Sequence, residues 1–527
     1  MIKQITIFLL GSVLCLSVKA QSPDAVINVQ HYSFDLKLND QNNQIKGRAE
    51  ISIRFLKDAR SFKIDLVKKN ESGKGMLVSA VTEKGIPVQF SQDNDDIHIN
   101  TTAKAGSEHT YTIRYQGIPA DGLIISTNKF GHRTFFGDNW PNRAHNWLPC
   151  VDEPADKATV DFIVTAPDHY QVVANGLKTE EKELPGNLRL THWKESTVLP
   201  TKVMVIGVAD FAIDHTGDVK GIPVYTYVFP DNKEVGFNGY AVAKEILAYY
   251  MDKIGPYAYE KLANVQSKTI FGGMENASCI FYFENSVGDK GIEELMAHEI
   301  AHQWFGDAAS EKNFAHLWLS EGFATYMTNV YLEQKYGEAV LNDRQAKDRE
   351  QVFQFEKERM TPVVDTSVKK NYMVMLNANS YQKGGWVLHM LRRKLGDEVF
   401  WKGIRAYYAK YENSNANTDD LRVEMEKASG QNLEQFFKQW LFTPGHPQLN
   451  ISWSYDAEKK VVNIQVEQKQ DMPYVFTLEC MIGNKLERFD INNKTTVVSV
   501  AADVKPSSIT VDPNMNLLAG FEVVDKK

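Results

Sequence analysis

The chain is poor in cysteine, and its few cysteines exclude several kinds of protein. Its 527 residues contain four Cys, of which Cys15 lies in the apolar N-terminal stretch. The other three, Cys150, Cys279 and Cys480, are an odd number, and the sequence has no C-x-x-C pair. This usage argues against a disulfide framework and against a cysteine-ligated structural zinc site. We expect three buried free thiols.

A surplus of positive charge is also missing. Lys and Arg number 59 against 67 Asp and Glu, for a formal net charge of −8. Such a balance argues against nucleic acid and anionic lipid surfaces as partners. No segment after residue 20 is apolar over a length that predicts a transmembrane helix. Internal repeats and low-complexity tracts are absent from the sequence as well.

The first 20 residues are typical of an export signal. Lys3 gives a basic start, Ile5–Val18 is mostly apolar, and Val18-Lys19-Ala20 fits a small-residue cleavage site. We predict cleavage after residue 20 and a periplasmic or secreted protein. Its removal takes away two lysines and no acid, so the net charge of −8 becomes −10. A lipid anchor on Cys15 is the alternative, and the large Leu14 before that cysteine argues against it.

Hydrophobic patterns divide the rest of the chain into residues 21–210, 211–445 and 446–527. The first and third parts show short alternating runs between turn residues, such as His31–Leu38 and Val461–Val466. We predict a multidomain α+β protein with an N-terminal antiparallel β domain, a central α+β domain and a small C-terminal β-sandwich. The central part has helical spacing over 240–254, 292–305, 321–336, 346–359, 381–394 and 421–441.

The sequence His298-Glu299-Ile300-Ala301-His302 lies in one of these helical segments. Histidines four residues apart project from one face of a helix, so both imidazoles can bind one metal ion. The surrounding segment is apolar nearly all round and is therefore expected to be buried. A chance H-E-x-x-H in a chain of this composition has a probability of roughly 2%, and paired histidines are often ordinary core residues. The motif by itself is therefore suggestive.

Glu321 supplies a third candidate ligand. It follows His302 after 18 intervening residues and opens a second helical segment, which Ser320 would cap. Two helices joined by a turn can bring its carboxylate beside both imidazoles. Three protein ligands leave a fourth position open, which is typical of catalytic zinc. We predict one zinc ion per chain, bound by His298, His302 and Glu321.

Together with three further segments, this pattern resembles the M1 family of zinc aminopeptidases. The H-E-x-x-H motif with a glutamate 18 residues later is the gluzincin pattern. Gly272–Asn276 is similar to the family's G-x-M-E-N exopeptidase motif, Ser380–Gly384 to its catalytic tyrosine segment, and Pro149–Pro154 to its P-C-x-D-E-P segment. The motifs occur in the family's order within residues 27–445. The resemblance implies a thermolysin-like α+β catalytic domain, with the N-terminal domain beside its cleft.

The resemblance also implies the reaction, hydrolysis of the N-terminal peptide bond of peptides with a free amine. Zinc would act as a Lewis acid on water, Glu299 as the general base, and Tyr381 as a donor to the oxyanion. Since the chain ends at Lys527, we expect a short form without the large helical C-terminal domain of many members.

Substrate binding would involve the glycine-rich segment. Glu275 would bind the α-ammonium group, while Gly272 and Gly273 would let the backbone approach an extended substrate. The rest of this predicted substrate-binding set is Met274 and Asn276. Members usually carry a second amine anchor, Gln or Glu, before the P-C-x-D-E-P segment. This chain has neither there, and Asp138 is the candidate in its place.

Two other functions fit parts of the pattern. An epoxide hydrolase of the kind found among M1 relatives would use the same zinc on a lipid epoxide, and product analysis would distinguish it. A binding module without catalytic activity, built on the same fold, is the third hypothesis after the aminopeptidase and the epoxide hydrolase. The presence of His298, Glu299, His302, Glu321 and Tyr381 argues against silence.

Overall fold

The structure is a computed structural model and describes residues 25–526. The predicted export signal and Cys15 lie outside the described residues. Within them, strands dominate the first and last parts of the chain and helices the middle, as the predicted fold class required. The domain boundaries at residues 20, 210 and 445 stay predictions.

Residues 27–209 form three β-sheets. The largest is antiparallel except for one pair, in which Ile27–Lys37 runs parallel to Lys157–Pro167. Tyr32, Phe34 and Leu36 alternate along the first of these strands and are at most 1% exposed, so one face of the sheet packs on the core. In spatial order its strands are Leu177–Leu184, Leu188–Pro200, Lys157–Pro167, Ile27–Lys37, Ile45–Phe55, Glu108–Ile118, Gly75–Glu83 and Ile86–Pro87. The smaller sheets are Gln171–Ala174, Ile206–Ala209, Arg133–Gly137 and Leu123–Thr127, and Ala59–Asp65, Asp96–Ala103 and Phe90–Gln92.

A five-stranded mixed sheet opens the central part. Its short last strand, Gly273–Met274, pairs antiparallel with Cys279–Phe283 and has no strand on its other side among the described residues. That free edge faces the candidate site described below. The order of strands is Ala212–Val219, Ile222–Val228, Leu262–Ser267, Cys279–Phe283 and Gly273–Met274.

Nine α-helices occur in residues 25–526, and all begin after residue 232. The predicted helix 240–254 corresponds to one helix, Ala243–Lys253, and a separate helix that had not been predicted ends at Tyr240. The predicted helix 421–441 is two helices, because Gly430, with φ of 68°, ends the first of the pair. The helix 397–411 had not been predicted. The helices are α1 Lys233–Tyr240, α2 Ala243–Lys253, α3 Ile292–His302, α4 Trp318–Tyr336, α5 Glu338–Glu358, α6 Gly384–Leu395, α7 Asp397–Tyr411, α8 Thr418–Ser429 and α9 Glu434–Leu441.

The C-terminal part consists of two sheets. Buried side chains of Ile451, Trp453 and Ile464 on the larger sheet and Leu478 on the smaller one contribute to the hydrophobic core. The larger sheet contains Thr495–Ala501, Val461–Gln468, Gln448–Asp456 and Gly520–Asp525, and the smaller Lys485–Ile491, Phe476–Ile482 and Ile509–Val511.

The expected buried thiols are confirmed. Cys150, Cys279 and Cys480 are free and buried. Burial raises the pKa of Cys279 to about 11 and that of Cys480 to about 12, so both stay protonated at neutral pH. In the part of the chain that the structure describes, we find no helix with the length and hydropathy needed to cross a membrane.

Candidate functional site

The three predicted metal ligands converge on one point between α3 and α4. The Nε2 atoms of His298 and His302 lie 3.1 Å apart, and Glu321 Oε2 lies 3.4 Å and 3.2 Å from them. Zinc bound tetrahedrally at about 2.1 Å requires ligand atoms about 3.4 Å apart. The donor set and its spacing therefore fit zinc, with one coordination position left for water or substrate.

The electrostatics of these residues call for a cation. Glu321 is 4% exposed, and its Oε2 accepts no hydrogen bond. Burial opposes charge on the His302 imidazole, yet the Glu321 carboxylate raises its pKa to about 10. Burial would likewise raise the pKa of Glu321, but the two imidazoles hold it below its ordinary value. A divalent cation can supply the positive charge that a proton would otherwise provide.

Ser320 orients one of the imidazoles. It lies in the first turn of α4, not before the helix, so its predicted role as a cap is wrong. Its Oγ is 3.0 Å from His302 Nδ1, which is also 3.1 Å from the Phe305 carbonyl oxygen. With Nδ1–H donated to that carbonyl, the Nε2 lone pair is free for a metal.

Glu299 lies against the free sheet edge, at Gly273. It is 5% exposed, and a Cβ added to Gly273 would lie only 2.3 Å from its Oε1. Glycine at 273 thus allows the strand to approach this carboxyl closely. Burial, aided by the charges of Glu275 and Glu321, raises the pKa of Glu299 well above its ordinary value. A raised pKa suits a group that accepts a proton and then releases it.

Tyr381 lies beside the metal ligands in a π-helical turn, Asn379–Lys383, which precedes α6. Its ring stacks on that of His298, with centroids 5.9 Å apart and planes 9° apart. Burial, followed by the charges of Glu321, Glu275 and Glu299, raises the pKa of the phenol well above its ordinary value. The hydroxyl therefore stays protonated and can donate a hydrogen bond.

Two contacts hold this π-helical turn in place. Gly384 meets Gly322 of α4 so closely that a Cβ on either residue would lie within 3 Å of the other residue's Cα. Lys383, fully buried, donates to Glu356 Oε1 at 2.6 Å and to the Gly445 carbonyl oxygen at 2.7 Å. The turn is therefore attached to α4, to α5 and to the junction with the C-terminal sheets.

The predicted amine-binding residue, Glu275, follows the edge strand. It was expected at the rim of a cleft, but it is 5% exposed, and its Oε1 has no hydrogen-bond partner. Burial raises the pKa of its carboxyl. Leaving a buried carboxylate without a partner is costly, so the residue is suited to receive a cationic ligand.

Gln303, which the sequence analysis did not single out, connects Glu275 to the metal-binding helix. Its Nε2 donates to the Glu275 carbonyl oxygen at 2.7 Å and to Asp307 Oδ2 at 2.9 Å. Its Oε1 accepts from the Ser278 N–H at 2.7 Å and the Tyr257 hydroxyl at 3.1 Å. The sequence feature that could have identified Gln303 is its position, a polar side chain directly after H-E-x-x-H within an otherwise apolar segment.

Asp138 does not serve as a second amine anchor, and that prediction is wrong. One carboxylate oxygen pairs with Arg143, and the other accepts from Thr269 Oγ1 at 3.0 Å and Ile270 N at 2.9 Å. Asp138 therefore supports the segment before the edge strand. Trp140, two residues further on, lines the cavity instead.

A cavity of about 550 Å³ brings these groups together. The free sheet edge contributes Gly272, Gly273, Met274 and Glu275, while Asn276 is fully buried outside its lining. The metal ligands, Glu299 and Tyr381 line the same space, together with Trp140, Phe271, Gly291, Glu294, Leu295, Thr325, Thr328, Arg344, Asp348, Gln351, Leu376 and Gln382.

Comparison with known proteins gives matches along most of the chain. The peptidase M1 N-terminal domain matches residues 28–203, and the peptidase family M1 domain matches residues 239–440. Aminopeptidase M1 of Arabidopsis thaliana is 29% identical over 58% of this chain and 36% of its own length. Probable aminopeptidase 2 of Sulfurisphaera tokodaii is 24% identical over 92% of this chain and 63% of its own length. Glutamyl aminopeptidase of Rattus norvegicus is 24% identical over 83% of this chain and 49% of its own length.

This chain thus spans between about one third and two thirds of the length of these relatives. The two family models, however, match it in consecutive segments that together leave few residues between 28 and 440 unmatched. The second of them contains all three candidate zinc ligands, Glu275 and Tyr381. The chain belongs to peptidase family M1.

Proposed function

We propose that the protein is a zinc aminopeptidase, which hydrolyses the N-terminal peptide bond of peptides with a free amine. The observation that carries this proposal is the placement of Glu275. Its buried carboxylate, with one oxygen lacking a donor, lines the same cavity as the three candidate zinc ligands. The α-ammonium group is the cation next to the first peptide bond, and internal peptide bonds have no such neighbour. The names of the relatives, all aminopeptidases, agree with it.

Each of the functional residues in the cavity has a separate role in the proposed hydrolysis. Bound zinc would supply Lewis acidity and lower the pKa of a water molecule toward about 7. Glu299 takes the proton of the attacking water and delivers it to the leaving amine. Tyr381 donates its hydroxyl proton in a hydrogen bond to the developing oxyanion. An extended substrate adds to the free edge at Gly273, with its amine at Glu275.

Export is part of the proposal. It rests on the signal-like pattern of residues 1–20, and it places peptide hydrolysis in the periplasm or outside the cell.

The experiment compares free-amine peptides with their N-acetylated forms, using wild type, Glu275→Ala and Glu275→Gln. Wild type is expected to remove residues stepwise from free amines and to ignore acetylated peptides, and chelation should abolish this activity until zinc is restored. Breaking a partly desolvated charge pair costs roughly 2–5 kcal/mol. We therefore expect kcat/KM on free amines to fall about 30-fold to 10³-fold in both variants.

Metal analysis provides the control. Both Glu275 variants should retain one zinc per chain, whereas Glu321→Ala should lose it. Efficient cleavage of acetylated peptides at internal bonds by wild type would identify an endopeptidase and refute the proposal.

A further inference from the structure

The cavity has two ends, on opposite sides of the candidate zinc ligands. Along α3 the order is Glu294, His298 and His302, and the residue after the helix, Gln303, holds Glu275. Glu275 therefore lies past the C-terminal end of α3, and Glu294 lies one turn before the first imidazole. A peptide with its amine at Glu275 and its first carbonyl at the zinc ligands must extend its remaining residues toward Glu294.

This second end is polar and contains one cationic side chain among its lining residues. Thr325 and Thr328 follow Glu321 by one and two turns on the same face of α4. Arg344 and Asp348 come from α5, and all four side chains line the cavity. The leaving part of a substrate thus meets a guanidinium group.

The guanidinium of Arg344 is held by two partners. Its Nη2 donates to Glu294 Oε1 at 2.6 Å, and its Nε donates to Asn329 Oδ1. Asn329 is fully buried, and its Nδ2 donates to Gln345 Oε1 at 3.0 Å and Asp348 Oδ2 at 3.1 Å. Within residues 25–526 the hydrogen bonds of Arg344 are made by Nε and Nη2, which leaves Nη1 to face a ligand.

Helix geometry gives the distance of this group from the zinc ligands. Glu294 precedes His298 by one turn, about 6 Å along α3, and Asn329 follows Glu321 by about 12 Å along α4. Because the guanidinium contacts both, it lies about 6–12 Å along the cleft from the ligands. An extended chain advances about 3.3–3.6 Å per residue. This interval corresponds to two or three residues beyond the cleaved bond.

We propose that Arg344 binds the C-terminal carboxylate of short substrates through Nη1, so that tripeptides and tetrapeptides with a free C-terminus are preferred. The assignment rests on the proposed aminopeptidase function and deepens it. Glu294, which pairs with Arg344, opposes a substrate carboxylate by its charge, and so does Asp348, whose Oδ2 accepts from Asn329. Removing the Glu294 charge should therefore strengthen the preference.

The test measures kcat/KM on a tripeptide and on the same tripeptide with a C-terminal amide. Hydrogen bonds to charged groups predict a preference of wild type for the free acid of roughly 10-fold to 100-fold. Arg344→Met should bring the ratio close to one, Arg344→Lys should retain part of it, and Glu294→Gln should increase it. Lys347→Met is the matched control, because Lys347 is an exposed cation on the same helix outside the cavity lining.

A series of peptides of increasing length provides a second test, which needs only the wild-type protein. The acid-to-amide ratio should be largest for tripeptides and tetrapeptides and should approach one for hexapeptides, whose carboxylate lies beyond Arg344. Equal rates for acid and amide in wild type, or equal losses on both in Arg344→Met, would overturn the assignment. Hydrolysis of a panel of aminoacyl anilides, which have no carboxylate at the C-terminal end, reports on the proposed function separately. Its absence in wild type across the whole panel would refute that function instead.

Discussion

A single buried amide, that of Gln303, joins the backbone carbonyl of Glu275, the proposed amine-binding residue, to the end of the candidate metal-binding helix. Both donors and both lone pairs of this amide are used, and no other uncharged side chain offers two of each at this length. Under the proposed function, the distance from Glu275 to the candidate zinc ligands sets which carbonyl of a bound peptide reaches the metal. Gln303 is in this sense a positioning residue that contacts no substrate.

Gln303→Met should therefore raise KM for a leucyl anilide more than it lowers kcat, with a loss of at least about 10-fold in kcat/KM. The physical reason is that the buried Ser278 N–H and the Glu275 carbonyl lose their partner, which costs about 1–3 kcal/mol for each group. Zinc content should be unchanged. Gln354→Met, on the exposed side of α5, is the control. A lower Tm with KM unaltered would show that Gln303 acts only on stability.

Helices α4 and α6 carry Glu321 and support Tyr381, and they cross at a pair of glycines. A Cβ on Gly384 would lie 2.9 Å from the Gly322 Cα, a contact with backbone that a rotamer change cannot relieve. This close approach brings the π-helical turn and its tyrosine to the metal ligands. Lys383 and Glu356 secure the same turn from the side of α5.

Gly384→Ala should separate the two helices by a few tenths of an ångström. We expect a loss of about 1–3 kcal/mol in the free energy of unfolding. We also expect a fall in kcat, because Tyr381 moves from the oxyanion. Gly239→Ala is the matched control, since a Cβ at that helical position meets nothing within 4 Å. Its gain in helix propensity should leave stability equal or higher. An equally active Gly384→Ala enzyme would contradict this account of the crossing.

The N-terminal sheets and the helical part are joined across a seam with buried charges. Lys202 donates to Glu311 Oε1 at 2.6 Å, and both side chains are at most 2% exposed. Elsewhere in the seam, Glu195 faces Glu260 and Lys261. Burial, followed by the charge of Glu260, raises the pKa of Glu195 to about 8. A desolvated carboxyl beside another acidic side chain resists ionisation, so Glu195 keeps its proton to a higher pH than an ordinary glutamic acid.

The raised pKa of Glu195 predicts a pH dependence of stability. A carboxyl with an ordinary pKa when unfolded and a pKa near 8 when folded binds more protons in the folded state between about pH 4.5 and 8. Its contribution to stability is therefore complete at low pH and falls as pH rises through that window. Glu195→Gln, which imitates the protonated carboxyl, should flatten the decline of Tm between pH 5 and 9. The exposed Glu180→Gln should behave as wild type, and parallel curves for all three proteins would refute the raised pKa of Glu195.

The cluster of candidate metal ligands was predictable because its geometry is local. Residues four apart on a helix share a face whatever surrounds the helix, so the spacing of His298 and His302 implied a metal pair, and Glu321 completed the pattern. The alternating runs of the first and last parts likewise indicated sheets, since apolar residues at every second position are typical of a strand with one buried face. Helix boundaries were less certain. The apolar spacing is helical throughout residues 421–441, but Gly430 ends one helix within that segment.

Contacts between distant segments depended on the tertiary structure. Asp138 stands near the position expected for a second amine anchor, yet its carboxylate pairs with Arg143 and supports a loop. Ser320 was expected to cap a helix and instead orients His302. Neither Gln303 nor Arg344 belongs to a spacing pattern, and the role proposed for each rests on its partners on other elements. A side chain's role follows from the groups that surround it after folding, and periodicity carries no information about contacts between remote parts of a chain.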